Sequence, residues 1–286
     1  MKPIDNSKFT ISVMSRDELN TAITWAAKEG WNPGINDASA FYAADATGFL
    51  VGKYDEAPIA TISAVKYGQS FGFIGLYIVH EAFRGNGFGF KIWESAISNL
   101  RGRNIGLDGV LAQQDNYKKS GFKLAHRNIR FAGKSTRQQI PVSTVVEAKH
   151  INFQGIEEYD RAFFPEQRSI FLREWIDPKN SHTLAIIEQS KIIGYGSIRA
   201  CEHGFKIGPL NAENSDLAFD LFLALTARIP EGSEVFLDVP EPNPKAIHLA
   251  QKAGMTAVFE TARMYTKEFP QLPLEKIYGI TTFELG

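Results

Sequence analysis

An internal repeat constrains the fold of this chain more than any other feature of its sequence. Three short motifs recur in the same order at spacings of 130 to 133 residues: Gly75 with Gly208, Leu107-Asp108 with Leu237-Asp238, and Gly121-Phe122 with Gly254-Met255. Each match alone is weak, but a shared order and spacing favour two copies of one fold. The 286 residues therefore predict two modules, residues 1–138 and 139–286, joined in the polar stretch around residues 133–143.

Strand and helix patterns alternate in the first half of the chain. Strands are predicted at residues 9–14, 48–54, 57–66, 71–79, 104–110 and 122–131. Ser15 and Glu18 form the pattern of a capping box, which predicts a helix that stops at Gly30. Further helices are predicted near residues 38–44, 90–100 and 113–120. This order indicates an α/β (α+β) fold, with a mixed, mostly antiparallel sheet and flanking helices.

The composition excludes several classes of protein. Lys and Arg total 31 and Asp and Glu total 32, so a formal net charge of -1 gives no electrostatic signature of nucleic-acid binding. Cys201 is the only cysteine, which excludes a disulfide scaffold, and no run of 18 apolar residues could span a bilayer. Because no secretory signal pattern is present, we expect a cytoplasmic protein whose partner is a small molecule rather than nucleic acid or a membrane.

The segment that carries chemistry is the stretch of residues 76–90, where a strand leads into a loop and the loop opens an amphipathic helix. The loop contains Gly85, Gly87 and Gly89. Glycines allow backbone N–H groups to converge on an anion, and the helix N-terminus adds a partial positive charge. The pattern therefore predicts a cradle for a diphosphate.

Two nucleotide-binding alternatives do not match this loop. A dinucleotide-binding fold places its glycines after the first strand of a parallel unit, whereas three predicted antiparallel strands precede this loop. A Walker loop requires Lys and then Ser or Thr after its last glycine, whereas Gly89 is followed by Phe90. Both alternatives are therefore set aside.

The loop resembles motif A of the GNAT superfamily of acyl-CoA-dependent N-acyltransferases, whose Arg/Gln-x-x-Gly-x-Gly/Ala pattern is met by Arg84, Gly87 and Gly89. Tyr117, four residues before Gly121-Phe122, is similar to the end of motif B. A closer likeness, to bacterial tandem GNAT proteins of the YitH type, extends along the chain through residues 30–34, 44–45, 48–49, 106–110, 113–114, 116–117 and 278–286. The resemblance implies two tandem GNAT-like modules, each with a splay between its fourth and fifth strands.

The resemblance also implies a ligand and its contacts. Acetyl-CoA is the expected co-substrate, without a metal, and its pantetheine is expected in the splay. The residues expected to bind it are Tyr77, Ile78 and Val79 on the fourth strand, Asn116, and the cradle residues Arg84, Gly85, Asn86, Gly87, Phe88 and Gly89. Trp31, Asn32 and Asp45 lie where this fold roofs the acceptor pocket, although Trp31 is equally consistent with core packing.

Catalysis in the family is implied to be a direct attack of the acceptor amine on the thioester, without an acyl-enzyme. An alkyl ammonium with a pKa near 10.4 must first lose its proton, at a cost of about 4 kcal/mol at pH 7. The resemblance makes Tyr117 the candidate general acid for the departing thiolate, with a packing role as the alternative. Asp108 is a candidate base or a structural residue that bonds loop amides, and His80 and Glu81 are weaker candidates.

The second module lacks the cradle. The spacing of 133 residues places Leu217, Asp220, Phe222 and Ala250 at the positions of Arg84, Gly87, Gly89 and Tyr117. Side chains there would obstruct a diphosphate, and Asp220 would repel it. We therefore expect one cofactor site per chain.

The expected activity is transfer of an acetyl group to the primary amine of a small molecule, by a monomer or homodimer. Two alternatives stay open. One is a non-catalytic acyl-CoA sensor, and the other is an acetyltransferase of protein amines, which would need an open groove for a peptide.

Overall fold

The computed structural model describes residues 5–136, 145–177, 179 and 181–286. The predicted module boundary at residue 138 and most of the predicted linker lie outside these residues. Within the described part, the last strand of the first module extends to Lys134, three residues beyond its predicted end at residue 131.

The first module contains the elements that the sequence predicts, with boundaries that differ by at most a few residues. Its strands are β1 (Phe9–Val13), β2 (Phe49–Tyr54), β3 (Ala57–Tyr67), β4 (Phe71–Val79), β5 (Asn104–Val110) and β6 (Lys123–Lys134). Its helices are α1 (Arg16–Lys28), α2 (Asp37–Ala44), α3 (Phe88–Asn99) and α4 (Gln114–Lys119).

The second module repeats this order. Its strands are β7 (Val145–Glu147), β8 (His182–Glu188), β9 (Lys191–Ala200), β10 (Phe205–Ala212), β11 (Glu234–Pro240), β12 (Thr256–Tyr265) and β13 (Ile277–Gly279). Its helices are α5 (Phe153–Asp160), α6 (Ser169–Trp175), α7 (Ser215–Thr226) and α8 (Pro244–Lys252). The run from β8 to β12 follows the run from β2 to β6 element by element, which confirms the predicted repeat. Across the described ranges, every helix is too short or too polar to cross a membrane.

Helix α1 shows how local sequence sets the elements around the site. The Ser15 side chain accepts from the Glu18 backbone N–H, and the Glu18 carboxylate accepts from the Ser15 backbone N–H, so the predicted capping box is present. Leu19, Ala22 and Ala26 recur at helical spacing and are fully buried against the sheet. The helix therefore holds the next loop, which carries Trp31, at a fixed place.

The two modules share one sheet and exchange their last strands. The strand order is β1-β2-β3-β4-β5-β12-β6-β11-β10-β9-β8-β7, with β13 paired to β10. Strand β12 of the second module pairs with β5 of the first, and β6 of the first pairs with β11 of the second. A boundary at residue 138 therefore divides the sequence into two halves, but each folded module contains a strand from the other half.

The hydrophobic core of each module contains side chains from the last strand of the other module. Ala262 and Met264 of β12 pack with Trp93 and Leu107 in the core of the first module, whereas Phe131 of β6 packs in the core of the second. Alternating apolar positions determine which face of a strand is buried, but they do not specify which neighbour it pairs with. The exchange was for that reason outside what the sequence pattern predicts.

The predicted splay is present in the first module. Strands β4 and β5 pair in parallel only from Phe71 with Asn104 to Ile74 with Leu107. Beyond that point β4 keeps its pairing with β3, with an irregularity opposite Leu76, whose φ is 48°. The edge of β4 that faces β5 is therefore free of strand pairing from Gly75 onward.

The corresponding splay of the second module is filled by the chain itself. Strands β10 and β11 pair in parallel only from Phe205 to Ile207, as their counterparts do. Strand β13 then pairs with β10, and the backbone N–H of Ile280 donates to the carbonyl of Asp238 on β11 at 2.9 Å. The C-terminal segment thus bridges the two strands where the first module is open.

Candidate active site

A cavity of about 530 Å³ lies where β4 and β5 separate. The first module contributes residues 74–79 of β4, residues 107–110 at the end of β5, and Glu29, Trp31, Arg84, Gln113 and Tyr117. The second module contributes Phe259, Thr261, Phe283 and Glu284. The candidate site is therefore built by both modules.

The glycine loop that was predicted to be a diphosphate cradle contains two left-handed backbone positions. Gly85 and Gly87 have φ values of 79° and 83°, which side-chain-bearing residues rarely adopt, and Gly87 is the N-cap of α3. A Cβ added to either glycine would meet no other atom within 4 Å, so the loop is open to a ligand. At Gly89, by contrast, a Cβ would lie 2.8 Å from the Tyr77 hydroxyl oxygen. The loop is therefore open at its first two glycines, and its third glycine allows close packing of α3 on β4. Of the loop residues 84–89, the cavity lining includes Arg84.

The polar side chains of the cradle hold the loop itself. Arg84 donates from Nε to the carbonyl of Val79 at 2.8 Å and forms an ion pair with Glu29 at 2.6 Å. The amide nitrogen of Asn86 donates to the carbonyls of Phe83 and Arg84. Because these two side chains bond the protein, the groups of this loop that we expect to contact a ligand are its backbone N–H groups. Phe88 is fully buried, with its ring 4.7 Å from that of Phe9, so its side chain is core rather than ligand contact.

The fourth strand lines the cavity. Tyr77, Ile78 and Val79 all border it. Burial raises the pKa of the Tyr77 phenol. On the side of the splay the strand provides a backbone edge without strand pairing, together with a largely apolar wall.

Tyr117 also borders the cavity, in helix α4 after β5. The residue is 9% exposed, and its ring lies 5.4 Å from the ring of Trp93. The Tyr117 ring can occupy this place because residue 109 is a glycine; a Cβ at Gly109 would clash with the ring. Burial, and then the neighbouring Tyr77, raise the pKa of Tyr117, so the phenol keeps its proton at neutral pH. The neighbouring Asn116 does not line the cavity, and its amide donates to Gln113 at 2.7 Å.

The structure does not support Asp108 as a free base. Its side chain is fully buried and accepts from two nitrogens of Arg263 and from the amide of Asn128. Burial raises the pKa of Asp108 while Arg263 opposes that shift, and Asp108 in turn raises the pKa of Arg263 against the effect of burial. This geometry corrects both expected roles, because the partner is a guanidinium of the second module rather than a substrate proton or loop amides.

Of the three residues expected to roof the acceptor pocket, the structure brings one to the cavity. Trp31 borders it. Asn32 is buried and exchanges hydrogen bonds with the backbone of His203, so it joins the two modules. Asp45 accepts from Thr47 and from the backbone N–H of Lys66, which makes it a turn residue. Asn32 and Asp45 were therefore wrongly placed in the site.

Sequence reasoning missed the residues that reach the cavity from elsewhere in the chain. Phe259 and Thr261 arrive with the exchanged strand β12, and Phe283 and Glu284 arrive with the C-terminal segment. No motif marks them, since their contribution depends on strand exchange. The one available signal was the acid Glu284 within an otherwise uncharged run at residues 277–286.

Comparisons with known proteins agree with this architecture. The model of the acetyltransferase (GNAT) family matches residues 16–122, and that of the acetyltransferase (GNAT) domain matches residues 156–279. The holothin acyltransferase of Pseudoalteromonas sp. (strain SANK 73390) is 30% identical over 282 residues, which cover 99% of this chain and 96% of that protein.

Solved structures show the same fold. A Pyrococcus horikoshii protein assigned as an acetyltransferase has a TM-score of 0.82 at 20% identity, covering 100% of this chain and 99% of that one. The tandem GNAT protein from the clavulanic acid biosynthesis pathway has a TM-score of 0.65 at 12% identity, covering 90% and 98%. With two GNAT matches in succession and a full-length relative, the chain belongs to the GNAT family and is a tandem-domain N-acyltransferase.

Proposed function

We propose that this chain is an acetyl-CoA-dependent N-acetyltransferase of the cytoplasm that acts on the primary amine of a small molecule. The observation that carries the proposal is one cavity lined by the edge of β4 that has no strand pairing and by the buried Tyr117. Arg84, which begins the open glycine loop, borders the same cavity. The lone cysteine, Cys201, is buried and agrees with a reducing compartment.

The residues present fit acetyl-CoA, which would supply the activated acetyl group as a thioester. Backbone N–H groups at Gly85, Gly87 and the start of α3 would hold the diphosphate, aided by the helix dipole. The free edge of β4 would bond the pantetheine amides. Tyr117 would donate its proton to the sulfur that leaves, and a positioned acid of this kind contributes roughly 10²- to 10⁴-fold in rate.

We infer one cofactor site per chain. The second module has side chains at the cradle positions, and its splay holds β13 and Ile280 where the first module has its cavity. Backbone pairing there satisfies the groups on β10 that a pantetheine would otherwise bond. The second module would then serve as a wall of the first site rather than as a second enzyme.

A small acceptor is favoured over a protein amine. The second module closes one side of the cavity with Phe259 and Phe283, whereas a peptide would require an open groove. The relative at 30% identity is a holothin acyltransferase, which makes holothin a first acceptor to test. The aromatic walls, which include Trp31, suit an amine carried on an apolar or aromatic group.

The experiment is thiol release from acetyl-CoA with a panel of amines. The panel would contain holothin, phenethylamine, tryptamine, putrescine, glucosamine and a lysine-containing peptide. We expect turnover with at least one aromatic small amine and little with the peptide. If acetyl-CoA raised the melting temperature but no amine released thiol, the acyl-CoA sensor would replace the enzyme, and peptide turnover alone would favour protein amines.

A further inference from the structure

The C-terminal segment connects the two splays. After β13, the carbonyls of Ile280 and Thr281 lie over Gly208 of β10, where an added Cβ would be 2.5 Å from both oxygens. The carbonyl of Glu284 then lies over Gly75 of β4, where an added Cβ would clash with it. The same segment therefore leaves the filled splay of the second module and ends beside the open splay of the first, bringing Glu284 with it.

Glu284 is a buried acid with unmet hydrogen-bonding capacity. The residue is 2% exposed and borders the cavity that Tyr117 also borders. Its Oε2 accepts from the Thr282 hydroxyl, whereas Oε1 has no hydrogen-bond partner among the residues that the structure describes. Buried polar atoms without a partner are rare in folded proteins, and a donor on a bound ligand would account for this one.

The cations near Glu284 have other partners. Arg130 donates to both oxygens of Asp238, at 2.6 and 2.8 Å, and its guanidinium lies 4.8 Å from the centre of the Phe283 ring. Lys206 donates to the carbonyl of Trp31 at 3.2 Å. Burial, followed by the charge of Arg130, lowers the pKa of Lys206. Neither cation bonds Glu284, so its carboxylate is not held in an ion pair.

The other acids that border the cavity are already bound. Asp108 is held by Arg263 and Asn128, and Glu29 is held by Arg84. Within the described part of the chain, Glu284 is thus the carboxylate of this cavity that has a buried oxygen without a donor. Its backbone also packs on Gly75, immediately before Leu76, at the point where β4 leaves β5.

We propose that Glu284 binds the acceptor amine and accepts its proton, and that the acceptor is therefore a primary amine on an apolar or aromatic group. This inference rests on the proposed acetyl transfer. The acceptor ammonium first gives one proton to water. As the lone pair of the neutral amine forms the bond to the acyl carbon, a second proton passes from the nitrogen to the Glu284 carboxylate. The bond from carbon to sulfur breaks, its electron pair stays on sulfur, and Tyr117 supplies the proton to sulfur. Exchange of one proton with water then restores both side chains.

The first test compares Glu284→Gln with Glu275→Gln, the same substitution at an exposed position of the C-terminal region. With the best amine of the panel, kcat/KM of Glu284→Gln should fall at least 100-fold, as expected for loss of a general base. The dissociation constant of acetyl-CoA should change less than twofold, and Glu275→Gln should match the wild type. Turnover of Glu284→Gln within threefold of wild type would overturn the inference.

A binding measurement separates ligand contact from a structural role. In the presence of CoA, which carries no acyl group, the wild type should bind phenethylamine at least tenfold more tightly than 2-phenylethanol. Glu284→Gln should lose this difference while it binds the alcohol unchanged. Equal affinity for the two compounds in the wild type, or an equal loss for both in the variant, would overturn the inference.

The outcomes also separate this inference from the proposed function. A wild type that releases no thiol with any amine contradicts acetyl transfer itself, whereas an active wild type with an active Glu284→Gln contradicts only the role of Glu284. Melting curves show whether the glutamine variant folds. If it does not, Glu284→Asp keeps the charge but withdraws it by one methylene, and wild-type turnover of that variant would overturn the inference.

Discussion

Arg263 on β12 donates from Nε to Oδ1 of Asp108 at 2.8 Å and from a terminal nitrogen to Oδ2 at 2.5 Å. The two residues are direct cross-strand partners, yet they belong to different modules. Both side chains are buried, with 0% of Asp108 and 9% of Arg263 exposed. The ion pair therefore fastens the exchanged strand to the strand that ends at the active site.

Asp108→Asn should reduce stability far more than it reduces chemistry. Removing one partner of a buried ion pair leaves an uncompensated charge, which costs about 3–5 kcal/mol. Urea denaturation should show this loss, whereas Asp115→Asn, at an exposed surface pair, should change the free energy of unfolding by less than about 1 kcal/mol. If Asp108→Asn were as stable as the wild type but had a greatly reduced kcat, the result would instead support a catalytic role for Asp108.

Gly87→Glu should weaken acetyl-CoA binding at least tenfold, because a carboxylate would face the diphosphate in the cradle. Gly102→Glu is a matched control, since Gly102 has a φ of 87°, and a Cβ there also meets nothing within 4 Å. Each substitution should cost about 1–2 kcal/mol of stability through the left-handed backbone alone. Titration calorimetry should show a loss of affinity only for Gly87→Glu; unchanged affinity would place the nucleotide elsewhere.

Tyr117→Phe should lower kcat at least tenfold while acetyl-CoA affinity stays within about twofold. The ring that packs on Trp93 is retained, and only the proton donor is lost. Because the pKa of Tyr117 is raised, the wild-type rate should not fall between pH 7 and pH 9 through ionisation of this acid. Tyr42→Phe, on α2 and outside the cavity lining, serves as the control. Equal turnover for both variants would remove Tyr117 from the mechanism.

Local sequence signals predicted the parts of the site that one chain segment builds. The capping box of α1 and the glycine loop of residues 84–89 depend on neighbouring residues. The capping box is present, and the loop has left-handed backbone at Gly85 and Gly87. The splay followed from the family resemblance, and the end of pairing at Ile74 and Leu107 confirms it.

The rest of the site depends on contacts between distant segments, which periodicity does not encode. Asp108 looked available because nothing near it in sequence indicated Arg263, 155 residues later. Asn32 looked like a ligand contact, but its amide bonds the backbone of His203 in the other module. In each case, pairing between strands or modules uses a polar group that the sequence had made a candidate for the site.

His126 should make stability depend on pH. Burial, reinforced by the charge of Arg263, lowers its pKa to about 4, whereas an unfolded histidine titrates near 6.5. Between these values the unfolded chain binds a proton that the folded chain does not, so this contribution is full above pH 6.5 and is lost as the pH falls toward 4. From pH 7 to pH 5 the loss should be roughly 1–2 kcal/mol.

The check is urea denaturation of His126→Gln at both pH values. The variant should lose less stability than the wild type on acidification, whereas His182→Gln, at an exposed position on β8, should follow the wild type. An identical pH dependence for wild type and His126→Gln would show that His126 titrates alike in both states.

Gly208→Ala should lower both stability and turnover, since a Cβ at this position would lie 2.5 Å from the carbonyl oxygens of Ile280 and Thr281. These are backbone atoms of the segment that fills the second splay, so relief requires the segment to move, at a cost of about 1–3 kcal/mol. Gly155→Ala is the control, because its nearest contact is a side-chain carbon of Ile192 at 3.8 Å and alanine favours a helix by about 0.5–1 kcal/mol.

Since the displaced segment carries Glu284, amine turnover of Gly208→Ala should fall while acetyl-CoA still binds the cradle in the first module. If Gly208→Ala had the stability and the turnover of the wild type, the C-terminal segment would not position the acceptor site.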